Sequence, residues 1–310
     1  MTGPAAPSVS DFPSPRTPEL QTRTQSHYDA YPFIEGGENR VAWWREYLRD
    51  FLPDDHIRGA LVLDVGSSVG EISRGLVDRG ARMVCLDISL QSLRRCREVN
   101  PDALVFNASA LELPFADATF DHVVSIGVLH HTPDCRLGFN EAARVTAPGG
   151  TVVVFLYNYW NVYNLIFHLF APIKTRVPLA RVPGWLTGLL QPFARAHLGQ
   201  PLNEGQLRRL LGDKLWTPCA TFHTVREVRR WAQEDGLAFT GNQRFYLGYA
   251  NVMRFVKRGR RDPSMRREIQ VTCRSCANAP MERAAGDWVC PSCRRRYAAD
   301  AGVVRCLDPA

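Results

Sequence analysis

Leu61-Val62-Leu63-Asp64-Val65-Gly66-Ser67-Ser68-Val69-Gly70-Glu71 decides the fold of this chain. The apolar run from Leu61 to Val65, broken by one acid, reads as a strand covered on both faces. The glycines turn the chain, and a helix follows. A second apolar run, Met83-Val84-Cys85-Leu86, then ends in Asp87. Strand, glycine-containing turn, helix and acid-tipped strand form the nucleotide-cradling half of a Rossmann-like sheet. Gly66 and Gly70 are expected to let the backbone approach a ligand closely. Asp87 stands where a carboxylate accepts both hydroxyls of a ribose. The run departs from the dinucleotide fingerprint, because Ser67, Ser68 and Val69 fill the interval and Asp64 precedes the first glycine. That acid is ill placed beside a pyrophosphate and well placed beside a positively charged amino-acid end. The choice falls on S-adenosylmethionine rather than NAD.

Further elements follow in order. Asn107-Ala108-Ser109-Ala110 leads to Leu113-Pro114-Phe115 and Phe120-Asp121, then to Val123-Val124-Ser125-Ile126 and Gly127-Val128-Leu129-His130-His131. Ala147-Pro148-Gly149-Gly150 precedes a fifth strand, Thr151 to Leu156. This series resembles the class I S-adenosylmethionine-dependent methyltransferases, in particular the small-molecule enzymes, strongly over residues 58–157 and weakly to 256. The resemblance implies an α/β fold: a seven-stranded, mostly parallel sheet with helices on both faces. It also implies cofactor contacts from Asp64, Gly66, Ser67, Gly70 and Gly127. Asp87 would hold the ribose, Ile88 would flank the adenine, and Ser109-Ala110 would meet its amino edge. The family usually has an acid where Ser109 stands, so weaker cofactor binding is expected.

Composition sets the outer limits. A chain of 310 residues has room for one sizeable domain and a small one. Residues 1–26, rich in Pro, Ser and Thr, read as a disordered arm. They show no charged-then-apolar leader pattern, so a cytoplasmic protein is expected. The methyltransferase domain is assigned to 27–256, with a helical cap insertion at about 158–217. Phe155 to Ile173 is apolar but interrupted by Asn158, Asn161, Asn164 and His168, and reads as a strand end and buried helix. Peripheral membrane contact is its weaker reading.

Nine cysteines are unevenly placed. Cys273-x-x-Cys276 and Cys290-x-x-Cys293 form two knuckles suited to one tetrahedral thiolate site for structural Zn²⁺. A redox pair is the lesser alternative. Residues 270–310 are therefore assigned to a small β zinc ribbon after a basic linker, 257–269. This segment is similar to the small zinc-ribbon protein that partners tRNA and rRNA methyltransferases. The metal would be its main source of folding energy, so metal loss is expected to unfold the ribbon alone. From Arg254 onward thirteen Lys or Arg face six Asp or Glu, which accounts for the whole net charge of +7. Nucleic-acid contact is the less favoured explanation of that surplus.

The cap carries Trp160, Tyr163, Phe167, Phe170 and Trp185, which either line an acceptor pocket or form the cap's own core. His27 to Phe33, just before the first domain helix, is expected to fold over the cofactor as a lid. Thr224 and Glu227 are spaced as a capping box. Phe239 to Phe245 and Asn251 to Val256 are expected to pair antiparallel at the sheet edge. His131 is the candidate general base, titrating near its ordinary value and losing activity below about pH 6.5; the alternative is a structural imidazole. His223 is a lesser candidate. The favoured function is methylation of a small apolar or aromatic metabolite at oxygen, nitrogen or carbon. An RNA or protein methyltransferase with its own activator ribbon is the alternative, and a non-enzymatic binder is weaker. Gly127-Val128-Leu129-His130 replaces the Asn/Asp-Pro-Pro-Tyr/Phe motif that marks base amino-nitrogen methylation.

Overall fold

The structure is a computed structural model of the chain and describes residues 17–32, 37–192, 195, 201–245, 248–260, 266–276 and 278–307. Its centre is a mixed sheet built on β1 (Leu61–Val65), β2 (Arg82–Asp87), β3 (Leu104–Asn107), β4 (Phe120–Ile126), β5 (Thr146–Tyr157), β6 (Leu237–Phe245) and β7 (Ala250–Lys257). The order is β3-β2-β1-β4-β5-β7-β6, parallel except for β7, which runs antiparallel to both β5 and β6. The expected seven strands and the closing hairpin are all present.

Alternation along the strands separates two apolar layers. Leu61, Leu63 and Val65 pack with Phe139 of α6 (Cys135–Val145) and Trp231 of α10 (Val225–Glu234). Val62 joins the other layer, with Trp44 of α2 (Gly37–Tyr47) and Leu76 of α4 (Glu71–Val77). The capping box forms as expected: Thr224 Oγ1 accepts from the Glu227 amide, and the Glu227 carboxylate accepts from the Thr224 amide.

The cap follows β5 as α7 (Val162–Arg176), α8 (Gly184–Gly188) and α9 (Glu204–Leu211), with a π-turn at Gly212–Trp216. Upstream, residues 17–26 are not an unstructured arm. They belong to α1 (Thr17–Ala30), which lies over the carboxyl ends of the strands. Residues 1–16 and Phe33 lie outside the described residues.

The ribbon does not stand apart. After the short strands β8 (Thr272–Cys273), β9 (Ala279–Pro280), β10 (Glu282–Ala284), β11 (Asp287–Val289) and β12 (Arg296–Tyr297), the chain enters β13 (Ala299–Asp300) and β14 (Val303–Arg305). β14 pairs parallel to β3, setting Val303 opposite Val105 and Arg305 opposite Asn107. This extends the central sheet to nine strands. Val271, Met281, Tyr297 and Val304 share the apolar layer that contains Phe106 and Phe115. Arg267, in the stretch assigned to a basic linker, is also held against the domain. It pairs with Asp121 at 3.3 Å and donates to the Ala118 carbonyl.

Candidate active site

The sheet order sets out the site. Asp87, Gly66, Gly127 and Tyr157 lie at or just beyond the carboxyl ends of β2, β1, β4 and β5, neighbouring strands in that sequence. A cavity runs along this row, roofed by Gln21, Thr24 and Tyr28 of α1. Its walls are mostly apolar, with Trp44, Ile72, Val128, Phe155 and Phe245 among them.

Seven of the nine residues assigned to cofactor contact line this cavity: Gly66, Ser67, Asp87, Ile88, Ser109, Ala110 and Gly127. The Asp87 carboxylate accepts from the amides of Ser68 at 2.9 Å and Ser89 at 2.8 Å. Burial raises its pKa, against the pull of those amides. Ser109 Oγ accepts from the Leu111 amide at 3.1 Å and donates to Gln21 Oε1 at 3.3 Å, so α1 is tied to the turn after β3.

Asp64 and Gly70 are displaced from the role read for them. The Asp64 carboxylate is buried behind the wall, where Oδ2 accepts from Ser73 Oγ at 2.6 Å and Oδ1 has no hydrogen-bond partner. Burial pushes its pKa up to about 7. A Cβ on Gly70 would meet Asn100 Nδ2 at 2.3 Å, so its free space is filled by the protein, not a ligand. Gly66 is similar, since an added Cβ would meet Val128 Cγ2 at 2.2 Å. Gly127 alone of the three has open space, at φ +80°. Ser68 adopts φ 49°, a left-handed conformation uncommon for a serine.

The β4–β5 end of the cavity holds a polar cluster, most of which escaped the sequence reading. His131 Nδ1 donates to the Cys219 carbonyl at 2.8 Å, which leaves Nε2 to accept from the Tyr157 hydroxyl at 3.2 Å. Lys214 Nζ donates to that same hydroxyl at 3.3 Å and pairs with Asp213 at 2.7 Å. Tyr28 of α1 donates to the other Asp213 oxygen at 3.4 Å. Burial disfavours both charges of the Lys214–Asp213 pair. Their mutual attraction overrides it, raising the Lys214 pKa and lowering that of Asp213.

His131 is not poised near its ordinary value: burial pulls it down to about 4, so it is neutral at pH 7. His223 lies elsewhere, 3.3 Å from Glu227 and 2.9 Å from Thr221 Oγ1. Of the cap aromatics, none lines the cavity. Phe167 is buried in the core, whereas Trp160 and Trp185 are 75% and 73% exposed.

Cys273, Cys276, Cys290 and Cys293 come together with all four sulfurs within 4.8 Å of one another. Tetrahedral ligation with metal–sulfur bonds of about 2.3 Å requires sulfurs roughly 3.8 Å apart, and Cys273 and Cys293 stand at 3.6 Å. Backbone amides of Cys293 and Ser292 draw the Cys290 thiol down to about 6, while the neighbouring Cys293 sulfur pushes the Cys276 thiol up to about 12. The set therefore fits a metal ion.

Fold and site together define a nucleotide-type α/β enzyme with its pocket over the β2-β1-β4-β5 edge, and the chain belongs to the S-adenosylmethionine-dependent methyltransferases. Residues 63–154 match the family described as a methyltransferase domain. A demethylmenaquinone methyltransferase of Thermobifida fusca is 33% identical over 204 residues, covering 64% of this chain and 73% of that protein. The enzyme of the same name from Corynebacterium urealyticum is 38% identical over 118 residues. There the match covers 38% of this chain and about half, 49%, of the relative's length. Among solved structures, magnesium protoporphyrin IX methyltransferase from Synechocystis with bound S-adenosylhomocysteine superposes with a TM-score of 0.51. It is 14% identical, over 77% of this chain and 99% of that one. A Haloferax volcanii complex of the Trm112 activator with a methyltransferase gives a chain match of TM-score 0.50 at 17% identity, over 77% and 98% of the two chains. At such identities the likeness concerns the fold. Among the described residues, no helix is long and apolar enough to cross a membrane.

Proposed function

We propose that the protein methylates a small, apolar, hydroxyl-bearing aromatic metabolite, and that its four clustered cysteines hold a structural Zn²⁺. The observation that carries this reading is the Lys214–Tyr157–His131 relay at one end of a mostly apolar cavity. Bound S-adenosylmethionine supplies an electrophilic methyl group on a sulfonium. The chain's task is to hold it, exclude water and receive the acceptor.

For the cofactor, Asp87 accepts the ribose hydroxyls, and Ile88 with Ser109-Ala110 borders the adenine. Arg40 and Glu71, paired at 3.1 Å on the cavity wall, complement the two charges of the amino-acid end. For the acceptor, Lys214 faces an oxygen with a fixed positive charge and stabilises developing oxyanion character. His131, with Nε2 free of a proton, is the acceptor of protons in the relay. An apolar ring matches Phe155, Phe245 and Tyr249 on the wall. The name demethylmenaquinone methyltransferase, borne by both relatives described above, agrees with a lipid-like acceptor.

An RNA or protein acceptor is the second reading, motivated by the ribbon. Against it, no described residue of 266–307 lines the cavity, and the ribbon joins the sheet at β3, opposite the β5 end that carries the relay. The deciding assay measures S-adenosylhomocysteine release with reduced naphthoquinols, catechols, heteroaromatic amines and transfer RNA. Turnover with the hydroxylated aromatics is expected. Methylation of transfer RNA or of the amines alone sinks the proposal.

A further inference from the structure

Helix α7 divides into three faces. Tyr163 and Phe167 turn inward onto Tyr157 and Phe222, and Phe167 is buried. Asn161, Asn164 and His168 are polar. The remaining stripe, Val162, Leu165, Ile166, Leu169 and Ile173, is apolar and lies open to solvent, at spacings i, i+3, i+4, i+7 and i+11 that bring it to one side. Leu165 is 61% exposed and Leu169 64%. Trp160 stands exposed just before this helix, and Trp185 and Leu189 are exposed in and after α8. A contiguous apolar face of this kind marks an interaction surface.

Charge identifies the occupant. Residues 158–203 contain Lys174, Arg176, Arg181 and Arg195 and no Asp or Glu. Arg176 and Arg181 are both exposed. An apolar stripe with exposed tryptophans and a mainly basic surround, its nearby Glu204 paired with Arg208 at 3.2 Å, matches a bilayer interface with anionic headgroups, where aromatic rings sit at headgroup level. A second copy of the chain would bring the same unbalanced positive charges together.

We infer that the exposed face of the cap, centred on Leu165 and Leu169, docks the protein on an anionic lipid surface without crossing it. The inference goes beyond the proposed acceptor and does not depend on it, because docking is measured without any acceptor present.

The test is flotation of the full chain with vesicles of phosphatidylcholine alone and of phosphatidylcholine with phosphatidylglycerol. Binding to the anionic vesicles should be roughly tenfold stronger or more, and should weaken as salt rises. The double variant Leu165→Glu/Leu169→Glu should lose flotation while its melting temperature and S-adenosylmethionine affinity match the parent. A second double variant, Arg176→Ala/Arg181→Ala, should lose the preference for anionic vesicles. No flotation on anionic vesicles at low salt overturns the inference, as does flotation unchanged by the glutamates. A parent dimer by light scattering that the glutamates convert to a monomer also overturns it, in favour of self-association.

Discussion

Tyr157 donates its hydroxyl to Nε2 of His131 at 3.2 Å, while the other ring nitrogen of His131 is committed to the Cys219 carbonyl. One tautomer is thereby fixed, and the unprotonated nitrogen faces the residue that also receives Lys214. The histidine expected to titrate near its ordinary value is instead a buried member of a directional relay. Its place at the β4 end of the cavity was legible from sequence, but its electrostatics were not.

The first prediction concerns pH. A His131 held at about 4 is neutral throughout pH 5–9, so kcat should not decline near 6.5 on its account. The loss should come as pH falls toward 4, where the imidazole gains the proton that burial opposes. His131→Ala should lower kcat by roughly 10²–10⁴-fold if the ring takes the acceptor's proton, with cofactor affinity unchanged. A pH–kcat profile with its acidic limb at 6.5 would show that the ring is solvated in the working enzyme.

Asp87 carries the second prediction. Its carboxylate is oriented by the Ser68 and Ser89 amides and faces the cavity. Charge-assisted bonds to a ribose are worth about 1.5–3 kcal/mol each, so Asp87→Ala should weaken S-adenosylmethionine binding by roughly tenfold or more. Asp87→Asn should fall between it and the parent. Calorimetry decides; unchanged heat in the alanine variant would remove Asp87 from the cofactor site.

The glycines give a contrast as the third prediction. Gly66→Ala drives a methyl group into Val128 at φ +79°, combining overpacking with left-handed strain. It should cost about 2–5 kcal/mol of stability. Gly127→Ala meets open space at φ +80° and should cost only about 1–2 kcal/mol, yet place its methyl in the space proposed for the cofactor. Melting temperatures should rank Gly66→Ala lowest. Cofactor affinity measured on folded Gly127→Ala should drop. Full binding by that variant would show that the cofactor keeps clear of Gly127.

The sheet was legible because its signal is local. Strand runs such as Leu61 to Val65, the turn at Gly66 and the capping box at Thr224 are each read within a dozen residues. The polar cluster at the β4–β5 end was not, because Tyr157 and Lys214 are 57 residues apart and Tyr28 and Asp213 are 185 apart. Only the turn at Gly212–Trp216, which delivers two consecutive residues to the cavity, makes Asp213 and Lys214 functional neighbours. The adjacent Asp-Lys pair in an otherwise acid-poor cap was the one available signal. The clustering of Cys273, Cys276, Cys290 and Cys293 was legible from spacing alone. The ribbon's attachment was not, since β14 is only three residues long and is defined by the β3 edge beside it.

The last prediction follows from that attachment. Arg305 of β14 lies opposite Asn107 of β3, and Asn107 Nδ2 donates to the backbone carbonyls of Asp87 at 3.2 Å and Ile88 at 2.9 Å. The ribbon thus props the strand whose last residue holds the loop that begins at Asp87. Structural zinc sites contribute directly to folding energy, so its loss should not stay confined to residues 271–310. Purified protein should contain about one Zn²⁺ per chain, as four thiolates bind one ion. Chelation or Cys290→Ser should then reduce hydrogen-exchange protection in Leu104–Asn107 as well as Val303–Arg305, and weaken S-adenosylmethionine binding severalfold. Exchange should report both segments opening together. If the ribbon loses protection while Leu104–Asn107 keeps it and cofactor affinity is unchanged, the ninth-strand contact is dispensable and the ribbon is an independent unit after all.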